Sequence, residues 1–188
     1  VDPQAFSVPA DQIGRLPRAV PVWYKFQRFA IDRLPKSDVS FRLPSVIFGV
    51  LTSALAFLAA ARWRGLRFAA ALAIVMNASQ PFVYLSQLDR FYSLPLLLMT
   101  ATLVLVWIPD RDALTLPAIA VLSGLAVLSH NVTVPMFGLA FAASCALYLL
   151  GRATLPLVVR SGVAASVGVL IYVFYLLPLV RGWSSTGN

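Results

Sequence analysis

The chain contains no glutamate; its 7 acidic residues are all aspartate. Charged residues make up only 12% of its 188 positions, against about 25% in a typical water-soluble domain. A large soluble core does not explain so wide a deficit, so the composition excludes an ordinary soluble enzyme. There is one cysteine, Cys145, inside an apolar run. That excludes a disulfide framework and a thiolate metal site and leaves a small buried hydrophobe. A single histidine, His130, excludes a multi-histidine metal site. Glycine-rich phosphate loops, His/Cys metal clusters and a Ser/His/Asp set at catalytic spacing are all missing. The net charge of +8 is spread among hydrophobic stretches, which argues against nucleic acid as a partner. Anionic lipid headgroups, met by snorkelling Lys and Arg, account for it better.

What is present is apolar length. Hydrophobic residues are 60% of the chain and the mean hydropathy is +0.83, the profile of an integral membrane protein. A helix crosses the hydrocarbon core with about 20 apolar residues. Residues 43–61, 68–88, 91–109 and 161–180 carry no charge, and 113–151 form a double-length run that His130-Asn131 divides. The expectation is an all-α, polytopic bundle of about six transmembrane helices, centred near residues 52, 77, 100, 121, 141 and 170. Their short loops predict antiparallel hairpins between sequence neighbours. Prolines fall near the span ends, where a missing backbone donor costs little. Glycines and alanines inside the spans allow close helix packing.

Residues 1–41 differ from the bundle at 42–188. From Pro21, "PVWYKFQRFAIDRL" has a helical pattern, with Val22, Trp23, Phe26, Phe29 and Ala30 on one side. Lys25, Arg28 and Asp32 recur on the other. Pro21 suits a first helical turn, and Arg28-Asp32 is an i,i+4 pair. Such a basic amphipathic helix lies in the membrane interface, so 1–41 reads as a membrane-surface segment. Arg62, Arg64, Arg67, Arg111, Arg152 and Arg160 gather at one end of the spans. By the short-loop rule that end is cytoplasmic, although the N-terminal segment adds its own basic residues to the opposite end. The other end, with Arg90, His130 and residues 1–41, then faces outward.

At that outer end "YLSQLDRFYSL" (84–94) places Asp89-Arg90 among Tyr84, Gln87 and Tyr92. Two readings of it stand. One is a snorkelling pair in an interfacial aromatic belt. The other is an anion site, because Arg is permanently charged and forked for phosphate. His130 and Asn131 end another helix on the same face, where a capping role and a ligand role compete. Asn131-Val132-Thr133 and Asn77-Ala78-Ser79 both fit a glycosylation sequon, a pattern too short to decide anything.

Three stretches in order carry a resemblance: "FRLPSVIFGVLTSALAFLAAARWRG", "YLSQLDRFYSLPLLLMTATLVL" and "GLAVLSHNVTVPMFGLA". From about residue 20 to 150 the chain resembles the GT-C superfamily of polyprenyl-phosphate-sugar-dependent glycosyltransferases. That group includes aminoarabinose transferases and protein O-mannosyltransferases. The resemblance implies transfer of a sugar from a polyprenyl-phosphate donor to a lipid or protein acceptor, at the outer face of a bacterial cytoplasmic (inner) membrane. It implies Arg90, Gln87, Tyr92 and His130 at the donor phosphate, and Asp2 of "VDPQAFSV" as the general base. It permits His130 a contact with the phosphate or with a divalent metal. It also implies that the chain, which opens on Val1, is the N-terminal part of a longer enzyme. Two departures stand out: Pro3-Gln4 occupy the place of the family's Glu, and "AVPVWY" keeps Pro21 and Tyr24 but lacks the family's His. They support an alternative, a non-catalytic GT-C-like subunit packed against a larger membrane complex. A transporter or channel is weaker, because the spans hold almost no ionisable groups.

Overall fold

The computed structural model describes residues 38–79, 92–107 and 113–178, with the helical positions Val22, Lys25, Phe29 and Arg33 before them. These residues are helical, and no strand occurs among them. Six helices follow in order: α1 Asp38–Arg64, α2 Leu66–Ala78, α3 Ser93–Trp107, α4 Thr115–Ser129, α5 Thr133–Leu149 and α6 Leu155–Ile171. The last runs on as a π-helical turn, Tyr172–Leu176. Two stretches, Arg42–Arg64 and Leu155–Leu176, are long and apolar enough to cross a membrane. The apolar helices α2 to α5 have 13, 15, 15 and 17 residues, or about 20–26 Å each.

Small hydroxyl residues share the interior with the apolar core, while many large aliphatic side chains face out. Ser45, Thr52, Thr102, Ser123, Ser129, Ser144 and Ser161 are buried, together with small residues such as Ala60, Ala69 and Ala126. Large aliphatic side chains such as Val50, Leu58, Ile74, Val75 and Leu139 face out, each more than 60% exposed. Small residues at the helix contacts let the backbones approach closely. Most of the buried hydroxyls need no water. Thr52 donates to the Phe48 carbonyl at 2.7 Å, Thr102 to Leu98 at 2.8 Å, Ser129 to Leu125 at 2.7 Å and Ser144 to Ala140 at 2.8 Å. Each closes onto its own helix one turn back, which satisfies the donor inside the segment.

Three hairpins form, and they do not follow one another side by side. The sequence pairs α1 with α2, α3 with α4 and α5 with α6, as the short loops predict. The neighbour order in space is α2, α1, α3, α4, α6, α5, so α4 and α5 touch only near their shared turn. The expectation that every sequence neighbour packs as a hairpin therefore fails at two steps: α1 lies between α2 and α3, and α6 between α4 and α5. At the second step the physical reason is glycine. A Cβ on Gly124 of α4 would stand 3.1 Å from Ile171 Cδ1. One on Gly168 of α6 would stand 3.5 Å from Val127 Cγ2 and 3.7 Å from Phe137 Cδ2. The tight approach is at Gly124, where the missing side chain lets α6 close on α4; at Gly168 there is room for ordinary contact with α4 and α5. Phe137, 1% exposed, closes the core there with Val106, Ile119, Val127 and Ala164.

Glycine also makes the two turns at the arginine-rich end. Gly65, at φ 86°, is the whole link between α1 and α2. Gly151, at φ 68°, ends α5 in a Schellman arrangement, with Arg152 N–H to the Leu147 carbonyl at 2.8 Å and Gly151 N–H to Tyr148 at 2.9 Å. Both lie in the left-handed region that other residues enter at a cost.

Arg160 departs from its expected place. Charge counting makes it a boundary residue preceding a span at 161–180, but α6 begins at Leu155 and Arg160 is buried within its second turn. It stays near the end where Arg62, Arg64 and Arg152 lie, beside the start of α4. In the N-terminal segment Val22 packs on Phe48 and Leu94. Phe29, expected on the apolar side, is 61% exposed, with the Arg33 guanidinium 5.5 Å from its ring centre.

Candidate functional site

Two of the residues singled out in the sequence meet at one end of the bundle. Tyr92 immediately precedes α3, and its carbonyl accepts the Leu96 N–H at 3.1 Å. His130 immediately follows α4 and caps it, donating its N–H to the Ala126 carbonyl at 2.9 Å. Because α3 and α4 pack as an antiparallel pair, these two ends coincide. The rings stand 5.0 Å apart between centroids at an interplanar angle of 41°. That spacing lies within the range favoured by aromatic pairs.

The loop from α4 to α5 fixes the imidazole. The His130 carbonyl accepts the Thr133 N–H at 3.3 Å and its hydroxyl at 2.9 Å. Nδ1 accepts the Val132 N–H at 3.0 Å. An Nδ1 that accepts carries no proton, so the neutral ring bears its hydrogen on Nε2. Burial lowers the pKa from its ordinary value, because the half-buried charged form loses hydration. At neutral pH the ring is an uncharged Nε2–H donor, held beside a tyrosine.

This arrangement suits an anion better than a metal. A neutral histidine binds a cation through an unprotonated nitrogen while the other nitrogen usually donates. Here Nδ1 is already used as an acceptor, so Nε2 is protonated and unsuited to ligation. Among the described residues no three His, Cys, Asp or Glu side chains gather as a metal set. His130 therefore does not fit the divalent-metal role.

Arg90, Gln87 and Asp2 lie outside the described residues, as does Asp89. In sequence Arg90 is two residues from Tyr92.

Sequence reasoning passed over three features at this end. Ser93, next to Tyr92, and Ser45, one turn from Phe48, are fully buried with hydroxyls that make no hydrogen bond. Each such hydroxyl costs about 1–3 kcal/mol relative to a satisfied one. A serine before an apolar run looks like a cap in sequence, and only packing shows that it is enclosed. The third feature is the π turn at the end of α6, where the Leu177 N–H reaches back to the Tyr172 carbonyl. Such turns occur often at functional sites, but "YVFYL" contains no Gly or Pro to announce one.

At the opposite end, a cavity of about 390 Å³ lies between the starts of α4 and α6, lined by Thr115, Leu116, Leu155, Val159 and Arg160. It is separate from the Tyr92–His130 pair. Comparison of the chain with protein-family models, curated proteins and solved structures finds no match.

Proposed function

We propose that the chain is the membrane-embedded part of a glycosyltransferase that moves a sugar from a polyprenyl-phosphate donor to a lipid or protein hydroxyl at the outer face of a membrane. The observation that carries the reading is the Tyr92–His130 pair, 5.0 Å apart at one end of the α3–α4 hairpin. It joins two of the short motifs through which the sequence resembles that superfamily, and a neutral Nε2–H on His130 is chemically suited to a phosphate. Small residues inside and large aliphatics outside support a bundle immersed in lipid. In this reading all six helices are spans. The charge-free stretches 68–88 and 91–109, which overlap α2 and hold α3, have about the length a crossing needs.

The donor's phosphate is neutralised by Arg90, with Gln87, Tyr92 and the His130 Nε2–H as hydrogen-bond donors. Asp2 removes the proton from the acceptor hydroxyl. The acceptor oxygen forms a bond to the sugar's anomeric carbon as the anomeric carbon–phosphate oxygen bond breaks. The electron pair leaves on polyprenyl phosphate, whose charge the Arg90 cluster stabilises.

The test is sugar transfer by the full-length protein in proteoliposomes, with a panel of polyprenyl-phosphate sugars. Arg90→Ala is expected to lower turnover about 100- to 1,000-fold, the scale for removing a charge-stabilising donor. Asp2→Asn should lower it by about 100-fold or more. Unchanged turnover in both variants overturns the site assignment. Absence of transfer from every donor replaces the enzyme with a non-catalytic subunit of a larger membrane complex.

A further inference from the structure

The arginine-rich end holds a second feature, independent of sugar transfer. Where α1 ends, α2 begins and α3 ends, an apolar groove of about 270 Å³ opens between the three helices. Ala56, Ala60, Phe68, Leu103, Trp63 and Trp107 are among the residues that line it. The indoles are 41% and 45% exposed, partly inserted and partly free. Thr100, the hydroxyl-bearing residue of the lining, donates to its own Leu96 carbonyl at 2.8 Å, so it makes no demand on a ligand.

Positive charge lies at the same turn as the groove, on residues next in sequence to its lining. Arg62 and Arg64 flank Trp63, and Arg67 precedes Phe68. The single-residue Gly65 turn, at φ 86°, keeps all three within one tight reversal. All three are exposed, and the described residues give none of them an acidic partner. We propose that this groove seats one acyl chain of an anionic glycerophospholipid, with its phosphate held by Arg62, Arg64 and Arg67. The inference rests on the membrane reading of the chain.

Charge decides between occupants. A second copy of this chain docked on the same face would bring three more arginines against these three, a like-charge contact that disfavours self-association. A zwitterionic lipid would fill the groove but carry its own cation. An anionic phospholipid satisfies both parts: its tail meets apolar walls, and its phosphate meets forked guanidiniums that can bind it in bidentate fashion. Tryptophans lining such a groove sit where indole is most favourable, between hydrocarbon and headgroup. Each basic residue near an anionic surface contributes modestly, so three give a preference on the order of 10- to 100-fold.

The experiment uses the full chain in nanodiscs, with Trp23→Phe and Trp183→Phe leaving only Trp63 and Trp107 to report. Fluorescence is quenched by bromine-labelled acyl chains carried on phosphatidylglycerol or on phosphatidylcholine, at low mole fraction. The proposal expects the labelled phosphatidylglycerol to quench at about 10-fold lower mole fraction. R62Q/R64Q/R67Q should equalise the two lipids, and the groove-filling Ala56→Leu should abolish the preference with the arginines intact. Native mass spectrometry after delipidation should find phosphatidylglycerol retained by the unmodified chain and lost from the triple variant, a readout that does not depend on Ala56→Leu folding. Equal quenching by both lipids in the parent overturns the proposal. So does a preference that survives Ala56→Leu, because it then reflects diffuse attraction rather than a seat. Failure of either lipid to quench removes the membrane reading itself, a distinct outcome.

Discussion

Replacing Gly124 and Gly168 one at a time by alanine tests why α6 lies between α4 and α5. At Gly168 the new Cβ meets Val127 Cγ2 at 3.5 Å and Phe137 Cδ2 at 3.7 Å, ordinary contact distances. Glycine within a helix is about 1 kcal/mol less favourable than alanine, so Gly168→Ala should stabilise by about 0.5–1 kcal/mol. At Gly124 the Cβ would stand 3.1 Å from Ile171 Cδ1, so Ile171, partly buried against the core at the start of the π turn, must shift by a few tenths of an ångström. Overpacking of this kind costs about 1–3 kcal/mol, which offsets or exceeds the backbone gain. The net effect of Gly124→Ala should lie between neutral and about 2 kcal/mol destabilising. Ile171→Val removes the offending methyl and leaves Val167 Cγ1 at 3.6 Å as the next contact. In that background Gly124→Ala should become favourable, a coupling of about 1–2 kcal/mol in the double-mutant cycle. Unfolding of the purified protein by sodium dodecyl sulfate titration in mixed micelles reads all four variants. Equal stabilisation by both alanines, with no coupling to Ile171→Val, would refute the close-approach argument.

Three further outcomes follow from the same geometry. Phe137→Ala should destabilise by about 2–3 kcal/mol, the cavity term alone, because lipid removes most of the transfer term; a loss below about 1 kcal/mol would place Phe137 outside the core. Because burial holds the His130 pKa below its ordinary value, the unfolded chain takes up that proton first as pH falls below about 6.5. Stability should therefore decline on acidification through that window and level off below the folded pKa, and His130→Asn should flatten the slope in melts from about pH 7.5 to about pH 5. In a Cys145→Ala background, Asn131→Cys and Arg152→Cys flank the two ends of α5, about 26 Å apart. A membrane-impermeant maleimide should label Asn131→Cys on intact cells and Arg152→Cys only after lysis; labelling of both from one side would contradict a membrane-crossing α5.

Much of the helix layout was legible because charge is rare. The uncharged stretches contain α3, α4 and α5 and the middle of α1, and His130-Asn131 marks the break between α4 and α5. Where the reading erred, it treated every arginine as a boundary. Arg160 is buried inside α6, so the helix starts six residues before the uncharged stretch does. Similarly α2 ends at Ala78, capped by extended Ser79, although apolar residues continue beyond it. The neighbour order could not be read, because it depends on which side chains Gly124 and Gly168 face across helix contacts. For the site, the placing of Tyr92 and His130 on one end followed from counting passes, and their contact followed from α3–α4 pairing. The enclosed Ser45 and Ser93 hydroxyls had no local signal, since burial between helices is a tertiary property.

Binding of a polyprenyl phosphate, free of any sugar, tests the central claim most directly. The full-length protein in detergent or nanodiscs is titrated with a polyprenyl phosphate and with the matching polyprenyl alcohol, alongside Arg90→Ala and His130→Gln. The account predicts that the phosphate binds at least about 200-fold more tightly than the alcohol, and that each variant erodes that difference by about 1.5–3 kcal/mol, the worth of a charge-assisted hydrogen bond. Equal binding of phosphate and alcohol, or a difference untouched by both substitutions, would contradict a phosphate site at the Tyr92–His130 end.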